Sequence, residues 1–149
     1  MSKTIYMVGE TRLKYVSTKK MVPVDIKDSK DVYAFIKELW YDDLEVIERF
    51  LLLNLNRTNS IISYHWISQG GLAGTVIDTR VIFKSAIESL AQSIIVTHNH
   101  PSGNTKPSEA DITITNKLSR TGEIMEIKLL DHLIITHDSY FSMADDGII

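Results

Sequence analysis

The sequence predicts an α/β domain in which a mixed β-sheet is flanked by helices, and three segments carry this prediction. Apolar residues recur at helical spacing from Val32 to Trp40, and the preceding segment Asp28–Asp31 offers a capping residue. Arg49–Leu55 is a near-continuous apolar run, which is typical of a buried strand. Ser93–Thr97 is a short β-branched strand that ends at His98. Helices that alternate with buried strands indicate an α/β fold.

The first half of the chain adds turns and a hairpin to this pattern. Ser60–Ser68 is predicted to pair with Arg49–Leu55, because the turn-like Asn54–Asn59 joins them. Gly70-Gly71 ends the hairpin, and Asp78 precedes a second apolar helical pattern. Three weaker predictions are short strands at Thr4–Met7 and Leu13–Val16 and a turn at Asp42–Ile47.

The second half predicts a third helix followed by closing strands. The helix is expected over Ser108–Arg120, with Gly122 just past its end, since glycine is favoured after a helix C-terminus. Two strands are expected at Met125–Leu130 and His132–Thr136, and a third at Tyr140–Ser142.

Composition limits the class of protein. The 149 residues suit one domain, and 44% hydrophobic residues are enough for a core. Cysteine is absent, which excludes disulfides and thiolate zinc sites and fits a reducing cytoplasm. The chain has neither a signal-peptide-like start nor an apolar run approaching the roughly 20 residues of a membrane span. A soluble cytoplasmic protein without membrane contact is therefore expected.

The charge of the chain disfavours direct binding to nucleic acid. The formal net charge is −3, the calculated pI is 5.9, and Lys19-Lys20 is the only adjacent basic pair. Proteins that bind nucleic acid non-specifically usually carry a basic excess or stripe. A local basic patch assembled by folding stays open at this point.

The segment richest in candidate metal-binding and catalytic side chains is HNHPSGNTKPSEAD, residues 98–111. In an extended segment, His98 and His100 project to the same side and can present two imidazoles to one point. The turn that follows would allow Asp111 to supply a carboxylate oxygen as a third ligand. Two histidines and one carboxylate leave a fourth position for water, as in catalytic zinc sites.

Two other interpretations of this segment compete with a metal site. Ser108 and Asp111 fit a capping box at a helix start, which would be purely structural. The letters HNH suggest a nuclease, but the residues of that motif are dispersed over a ββα element rather than contiguous.

The spacing His98-x-His100-x7-Ser108-x-x-Asp111 matches the JAMM signature, and the chain resembles the RadC branch of the JAB/MPN family. The segment around Ile77–Lys84 and the LLDHLII of residues 129–135 add to this resemblance, which extends from about residue 46 to 149. It implies an architecture like that of cytidine deaminases. Residues 1–45 are expected to form an N-terminal extension whose amphipathic helix packs on the core of a domain at 46–149.

The resemblance departs from the family in two places. Residues 1–45 lack the helix-hairpin-helix DNA-binding region that often precedes this domain in longer RadC proteins. Asn99 stands where eukaryotic JAMM enzymes have serine or threonine.

The resemblance implies a zinc hydrolase, with His98, His100 and Asp111 as metal ligands. Glu48 is then expected as the catalytic base, with Glu45 as the second candidate, and Ser108 as the hydroxyl that donates to the carbonyl oxygen of the substrate. A capping hydroxyl accepts from a backbone N–H, so the hydrogen of Ser108 is expected to be free for that work. Glu48 opens one strand and His98 closes another, so the two strands should be adjacent and antiparallel.

Three further histidines need an interpretation. His65 lies in an apolar strand and is an alternative ligand without a companion, and His137 is expected in a solvated turn. His132 follows Asp131, and packing or hydrogen bonding is favoured over metal binding for it.

Three functions follow from these observations. The first is a zinc-dependent peptidase or isopeptidase acting on peptide or isopeptide-linked protein. The second is a DNA-repair accessory protein or metal-dependent nuclease, and the third is a non-catalytic MPN-like interaction domain. The sequence names no substrate and leaves the oligomeric state open.

Overall fold

The computed structural model describes residues 23–40, 42–70 and 76–149. Within them, one six-stranded mixed sheet is accompanied by three helices, as predicted. The strands are β1 (Val24–Asp25), β2 (Arg49–Leu55), β3 (Ser60–Gln69), β4 (Ser93–Asn99), β5 (Lys128–Ile135) and β6 (Tyr140–Ser142). The helices are α1 (Ser29–Leu39), α2 (Thr79–Glu88) and α3 (Glu109–Met125). The strands predicted at Thr4–Met7 and Leu13–Val16 lie outside the described residues.

The sheet has the strand order β1-β3-β2-β4-β5-β6. Strands β4 and β5 run parallel, and the other neighbours run antiparallel. Strand β2 therefore lies beside β4 in the antiparallel sense, with Phe50 opposite His98, which confirms the expected arrangement. None of the helices in the described residues is long and apolar enough to cross a membrane.

Strand β2 is apolar except for Arg49 and Asn54, as expected of a strand with both faces buried. Leu51, Leu53 and Leu55 pack on one side, in a cluster that includes Val32 and Ile36 of α1. Phe50 and Leu52 pack on the opposite side, where the apolar residues of α2 and α3 cover the sheet. The alternation along β4 assigns His98 to the α2/α3 side and Asn99 to the α1 side.

Helix caps follow from the sequence as expected. Asp28 caps α1, Asp78 caps α2 and Ser108 caps α3, each by accepting hydrogen bonds from backbone N–H groups of the first turn.

Two predictions about the second half were wrong. Helix α3 runs past Gly122 to Met125, and Glu126 ends it in the left-handed conformation with φ 56°. The segments predicted as separate strands around Leu130 and His132 form the single strand β5. The predicted break fell at Asp131, but this residue is buried within β5, where its carboxylate accepts from Ser142 of β6.

Gly122 allows α3 to pack closely against the start of β5. A Cβ atom added at this position would lie 2.4 Å from the backbone oxygen of Ile127 and 3.5 Å from the nitrogen of Leu129. Backbone atoms cannot move aside as a flexible side chain does, so Gly122→Ala is expected to lower the free energy of unfolding by about 1–3 kcal/mol. Urea denaturation measures the change. Glu123→Ala, at an exposed neighbouring position, should stay within about 0.5 kcal/mol of wild type. Equal stability of the two variants would contradict the close packing.

Candidate metal centre

The two histidines of the HNH segment lie at the carboxyl end of β4. His98 is inside the strand and buried, and His100 follows its last residue and is half-buried. Their Nε2 atoms are 2.9 Å apart, so both rings point to one place, as the alternation of side chains in an extended chain predicts.

Asp111 approaches this pair from the first turn of α3. The capping box is complete: Ser108 Oγ accepts from the Asp111 N–H at 3.1 Å, and the Ser108 N–H donates to Asp111 Oδ2 at 2.7 Å. The same geometry turns the carboxylate towards the histidines, with Oδ1 3.1 Å from His98 Nε2 and Oδ2 3.4 Å from His100 Nε2. The capping box is therefore compatible with a role of Asp111 as a candidate metal ligand.

The three side chains offer donor atoms that can hold a metal ion. One nitrogen each from His98 and His100 and one oxygen of Asp111 lie within 4.8 Å of one another. His100 Nδ1 lies 2.6 Å from the backbone oxygen of Asn104, and a carbonyl can only accept a hydrogen bond. The ring hydrogen of neutral His100 therefore resides on Nδ1, and its Nε2 keeps a free lone pair. Two imidazole nitrogens and a carboxylate oxygen are a donor set that suits zinc.

Contacts within the cluster shift the pKa values of its own members. Burial opposes ionisation of Asp111, but the adjacent rings of His100 and His98 hold the pKa of its carboxyl well below the usual value. The hydrogen bond with Asp111 raises the pKa of His100, and burial partly opposes that rise. Asp111 is thus an anion at neutral pH and is ready to meet a cation.

Glu48 lies beside these groups in an open cleft of about 510 Å³. It directly precedes β2, and its backbone oxygen accepts from the Gly70 N–H at 2.8 Å. The side chain is half-buried and lines the cleft together with His98, His100 and Asp111. Glu45, the alternative base, is exposed and lines a separate pocket near Lys37.

Asn99 ties the segment before Glu48 to the histidine strand. It projects to the α1 side of β4, where Nδ2 donates to the backbone oxygens of Leu44 at 2.6 Å and Ile47 at 2.9 Å. Its Oδ1 accepts from the Arg49 N–H at 2.7 Å. Asn99, the residue between the two histidines, therefore hydrogen-bonds the backbone on both sides of Glu48. The sequence marked Asn99 only as a departure from related enzymes.

Ser108 is used differently from expectation. Its hydroxyl hydrogen was expected to be free, but the hydroxyl donates to Asp111 Oδ2 at 2.7 Å. Ser108 lines the same cleft, so it is well placed to reach a substrate. In this structure it orients Asp111, and donation to a substrate carbonyl stays a prediction.

The remaining histidines divide as the sequence indicated. His65 is exposed on β3, and exposed His137 pairs with Asp138 at 2.7 Å. His132 is fully buried, and burial followed by the nearby His98 lowers its pKa well below the usual value, so the ring is neutral. Its ring packs edge-on against Phe50 and also hydrogen-bonds, because His132 Nε2 lies 2.8 Å from His98 Nδ1.

Asp131 faces away from the centre and secures the end of the sheet. Its Oδ2 accepts from Ser142 Oγ at 2.6 Å, and its Oδ1 accepts from the N–H groups of His132 and Ala144. Burial raises the pKa of this carboxyl, and the hydrogen bonds partly offset the rise. The pair Asp131-His132 therefore joins the β6 segment to the face that carries the candidate metal ligands.

A mixed sheet flanked by helices, with two histidines at a strand end and an aspartate in the next helix, defines an α/β domain of the JAB/MPN type. Such a fold is similar to that of metal-dependent hydrolases.

Comparison with known proteins agrees with this class. The family model of the RadC-like JAB domain matches residues 26–148, and the chain belongs to this family. A UPF0758 protein of Flavobacterium johnsoniae is 50% identical over 123 residues, which cover 83% of this chain and 53% of the relative. A UPF0758 protein of Porphyromonas gingivalis is 42% identical, with 83% of this chain and 54% of the relative covered. The chain thus spans about half the length of the curated relatives it matches.

Proposed function

We propose that this chain is a zinc-dependent hydrolase that cleaves peptide or isopeptide bonds. The observation that carries the proposal is the convergence of His98, His100 and Asp111 on one point, with Glu48 on the wall of the same cleft. His98, His100 and Asp111 would hold the metal, and Glu48 would act as the general base.

Each group has a separate task in amide hydrolysis. Zinc lowers the pKa of water from 15.7 to about 7 and thereby supplies a nucleophile at neutral pH. The Glu48 carboxylate takes a proton from the attacking water and delivers it to the leaving amine, a transfer that contributes about 10²–10⁴-fold to the rate. The hydroxyl of Ser108, when it turns from Asp111, can donate to the oxygen on which charge develops.

The cleft favours a segment of polypeptide as the substrate. Phe50, Ile77 and Ile114 line it beside the polar groups, so apolar side chains of a substrate can be buried next to the scissile bond. A volume of about 510 Å³ falls within the range of ligand pockets, which runs from about 300 to 1,000 Å³. The openness of a cleft, rather than an enclosed cavity, suits a chain that continues past the site in both directions.

Metal analysis of purified variants tests the proposal. After incubation with zinc and removal of free ion, the wild type should retain about one zinc ion per chain, as expected of a single two-histidine, one-carboxylate site. His98→Ala should retain little, because one of three protein ligands is lost from the buried side of the site. His65→Ala removes an exposed histidine from β3 and serves as the matched control, with zinc retained as in wild type.

The proposal fails if wild type and His98→Ala retain equal amounts of zinc. A loss in His65→Ala equal to that in His98→Ala would show that surface histidines bind the ion instead.

A further inference from the structure

A second buried histidine lies directly behind the candidate ligand His98. His132 comes from β5, the parallel neighbour of β4, and has no exposed surface. Its Nε2 lies 2.8 Å from His98 Nδ1, the nitrogen that faces away from Asp111. Histidines that bind metals usually donate this second ring hydrogen to a carboxylate, a backbone carbonyl or water. Here the partner is another imidazole, which can either donate or accept.

The direction of that hydrogen bond decides whether His98 can bind a metal. If His98 Nδ1 donates, its Nε2 keeps a lone pair towards Asp111 and His100. If His132 Nε2 donates instead, neutral His98 carries its hydrogen on Nε2, and the lone pair that would bind the ion is lost.

Thr115 of α3 favours one direction. Its Oγ1 lies 2.6 Å from His132 Nδ1 and 2.6 Å from the backbone oxygen of Asp111. A carbonyl oxygen only accepts, so the single hydroxyl hydrogen of Thr115 goes to Asp111 and the hydroxyl oxygen accepts from His132 Nδ1. Neutral His132 then has an unprotonated Nε2, which accepts from His98 Nδ1. The reverse order would deprive the Asp111 carbonyl of this short hydrogen bond.

Three hydrogen bonds connect His98 to the helix turn that carries Asp111: His98 Nδ1 donates to His132 Nε2, His132 Nδ1 donates to Thr115 Oγ1, and Thr115 Oγ1 donates to the Asp111 carbonyl. In this tautomer His98 Nε2 carries no hydrogen, so its 3.1 Å approach to Asp111 Oδ1 brings two acceptor atoms together, an arrangement that would suit a cation bound between them.

We propose that His132 is a positioning residue which, oriented by Thr115, holds His98 in the tautomer whose Nε2 is free to bind the metal. This inference rests on the proposed metal site and adds two residues that do not themselves touch the ion. Loss of such a supporting hydrogen bond typically lowers metal affinity by about 10–100-fold.

Two substitutions at one position separate this role from simple packing. His132→Gln places an amide oxygen about where Nε2 stands, so it still accepts from His98. His132→Asn is shorter and reaches only about as far as Nδ1, so it keeps a partner for Thr115 but leaves His98 Nδ1 without an acceptor. Zinc affinity by competition with a chelating dye is expected to fall about 10–100-fold in His132→Asn and to stay within about threefold of wild type in His132→Gln.

A second pair addresses Thr115. Thr115→Ser retains the hydroxyl and should bind zinc as wild type does. Thr115→Val keeps the shape but removes the acceptor for His132 Nδ1, and its zinc affinity should fall in the same direction as that of His132→Asn. Thermal unfolding of all four variants without zinc shows whether each is folded.

Nitrogen-15 NMR of the zinc-free protein reads the tautomer itself. At mildly alkaline pH, where imidazole is neutral, His98 should carry its hydrogen on Nδ1 in wild type and in His132→Gln. A hydrogen on Nε2 of wild-type His98 overturns the inference whether or not zinc binds. Equal losses of zinc affinity in folded His132→Gln and His132→Asn, or no loss in either, overturn it as well. If wild type binds no zinc, the proposed function fails, and the NMR result still decides the tautomer.

Discussion

Glu48→Gln is expected to leave zinc binding intact and to slow hydrolysis by about 10²–10⁴-fold, the usual contribution of a general base. Glutamine has the same shape as glutamate, but its neutral amide cannot take a proton from water. Because Glu48 lines the cleft and is not one of the three converging donors, the metal should remain bound in the variant. The measurement is kcat on a panel of peptide and isopeptide substrates with zinc-loaded protein, paired with zinc content.

Glu45→Gln is the matched control for this variant. Glu45 lies three residues earlier in the same segment, is exposed and lines the separate pocket near Lys37 and Leu44. Its kcat should equal that of wild type. A reversed pattern, with Glu45→Gln slow and Glu48→Gln fast, would move the base to Glu45. Zinc-loaded wild type that cleaves no member of the panel would support a non-catalytic interaction domain.

The candidate ligand set could be predicted from the sequence because each of its parts depends on residues that are close together in the chain. Residues two apart in a strand face the same way, which brings His98 and His100 together without knowledge of the rest of the fold. A capping box is likewise a four-residue motif, and it alone orients Asp111 towards the loop that precedes it. The adjacency of β2 and β4 is not a local feature, and it was suggested by the family resemblance and the position of Glu48.

The errors have a different origin, since they depend on residues distant in the chain. Asp131 resembles a strand break in sequence, and only its bonds to Ser142 and Ala144 allow it to be buried inside β5. Gly122 resembles a helix end, but its missing side chain serves the close approach of Ile127. Propensity predicts neither outcome, because tertiary contacts override it at both positions.

The supporting residues of the site could not be predicted from the sequence for the same reason. His132 reaches His98, and Thr115 reaches His132, only after β5 has paired with β4 and α3 has packed on the sheet. The middle residue of that motif, Asn99, offered a clue, since a side chain between two same-side histidines must point to the other face of the sheet. Its hydrogen bonds to the segment that carries Glu48 give this position a consequence that can be measured.

Asn99→Ala is expected to lower both stability and turnover. The substitution leaves the carbonyls of Leu44 and Ile47 and the N–H of Arg49 without the Asn99 side chain. A buried polar group left without its partner costs about 1–3 kcal/mol. Because the Leu44 contact is buried and the other two are part-buried, the free energy of unfolding should fall by about 1–3 kcal/mol. Once the segment on either side of Glu48 is released, kcat should fall more than zinc affinity, because His98 and His100 lie on the opposite face. Urea denaturation, kcat and zinc affinity measure the three effects.

Asn54→Ala is the control that separates local positioning from general loss of stability. Asn54 is also a fully buried asparagine, on β2, and its amide nitrogen lies 3.0–3.3 Å from the hydroxyls of Ser63, Ser85 and Ser89 rather than near the segment before Glu48. Its removal should destabilise the fold while kcat of the folded protein stays near wild type. If both variants retain kcat to the same degree at a temperature where both are folded, Asn99 contributes to stability alone. A selective fall of kcat in Asn99→Ala would instead mean that the residue between the two histidines sets the position of the base, which links metal ligands and base through a single side chain.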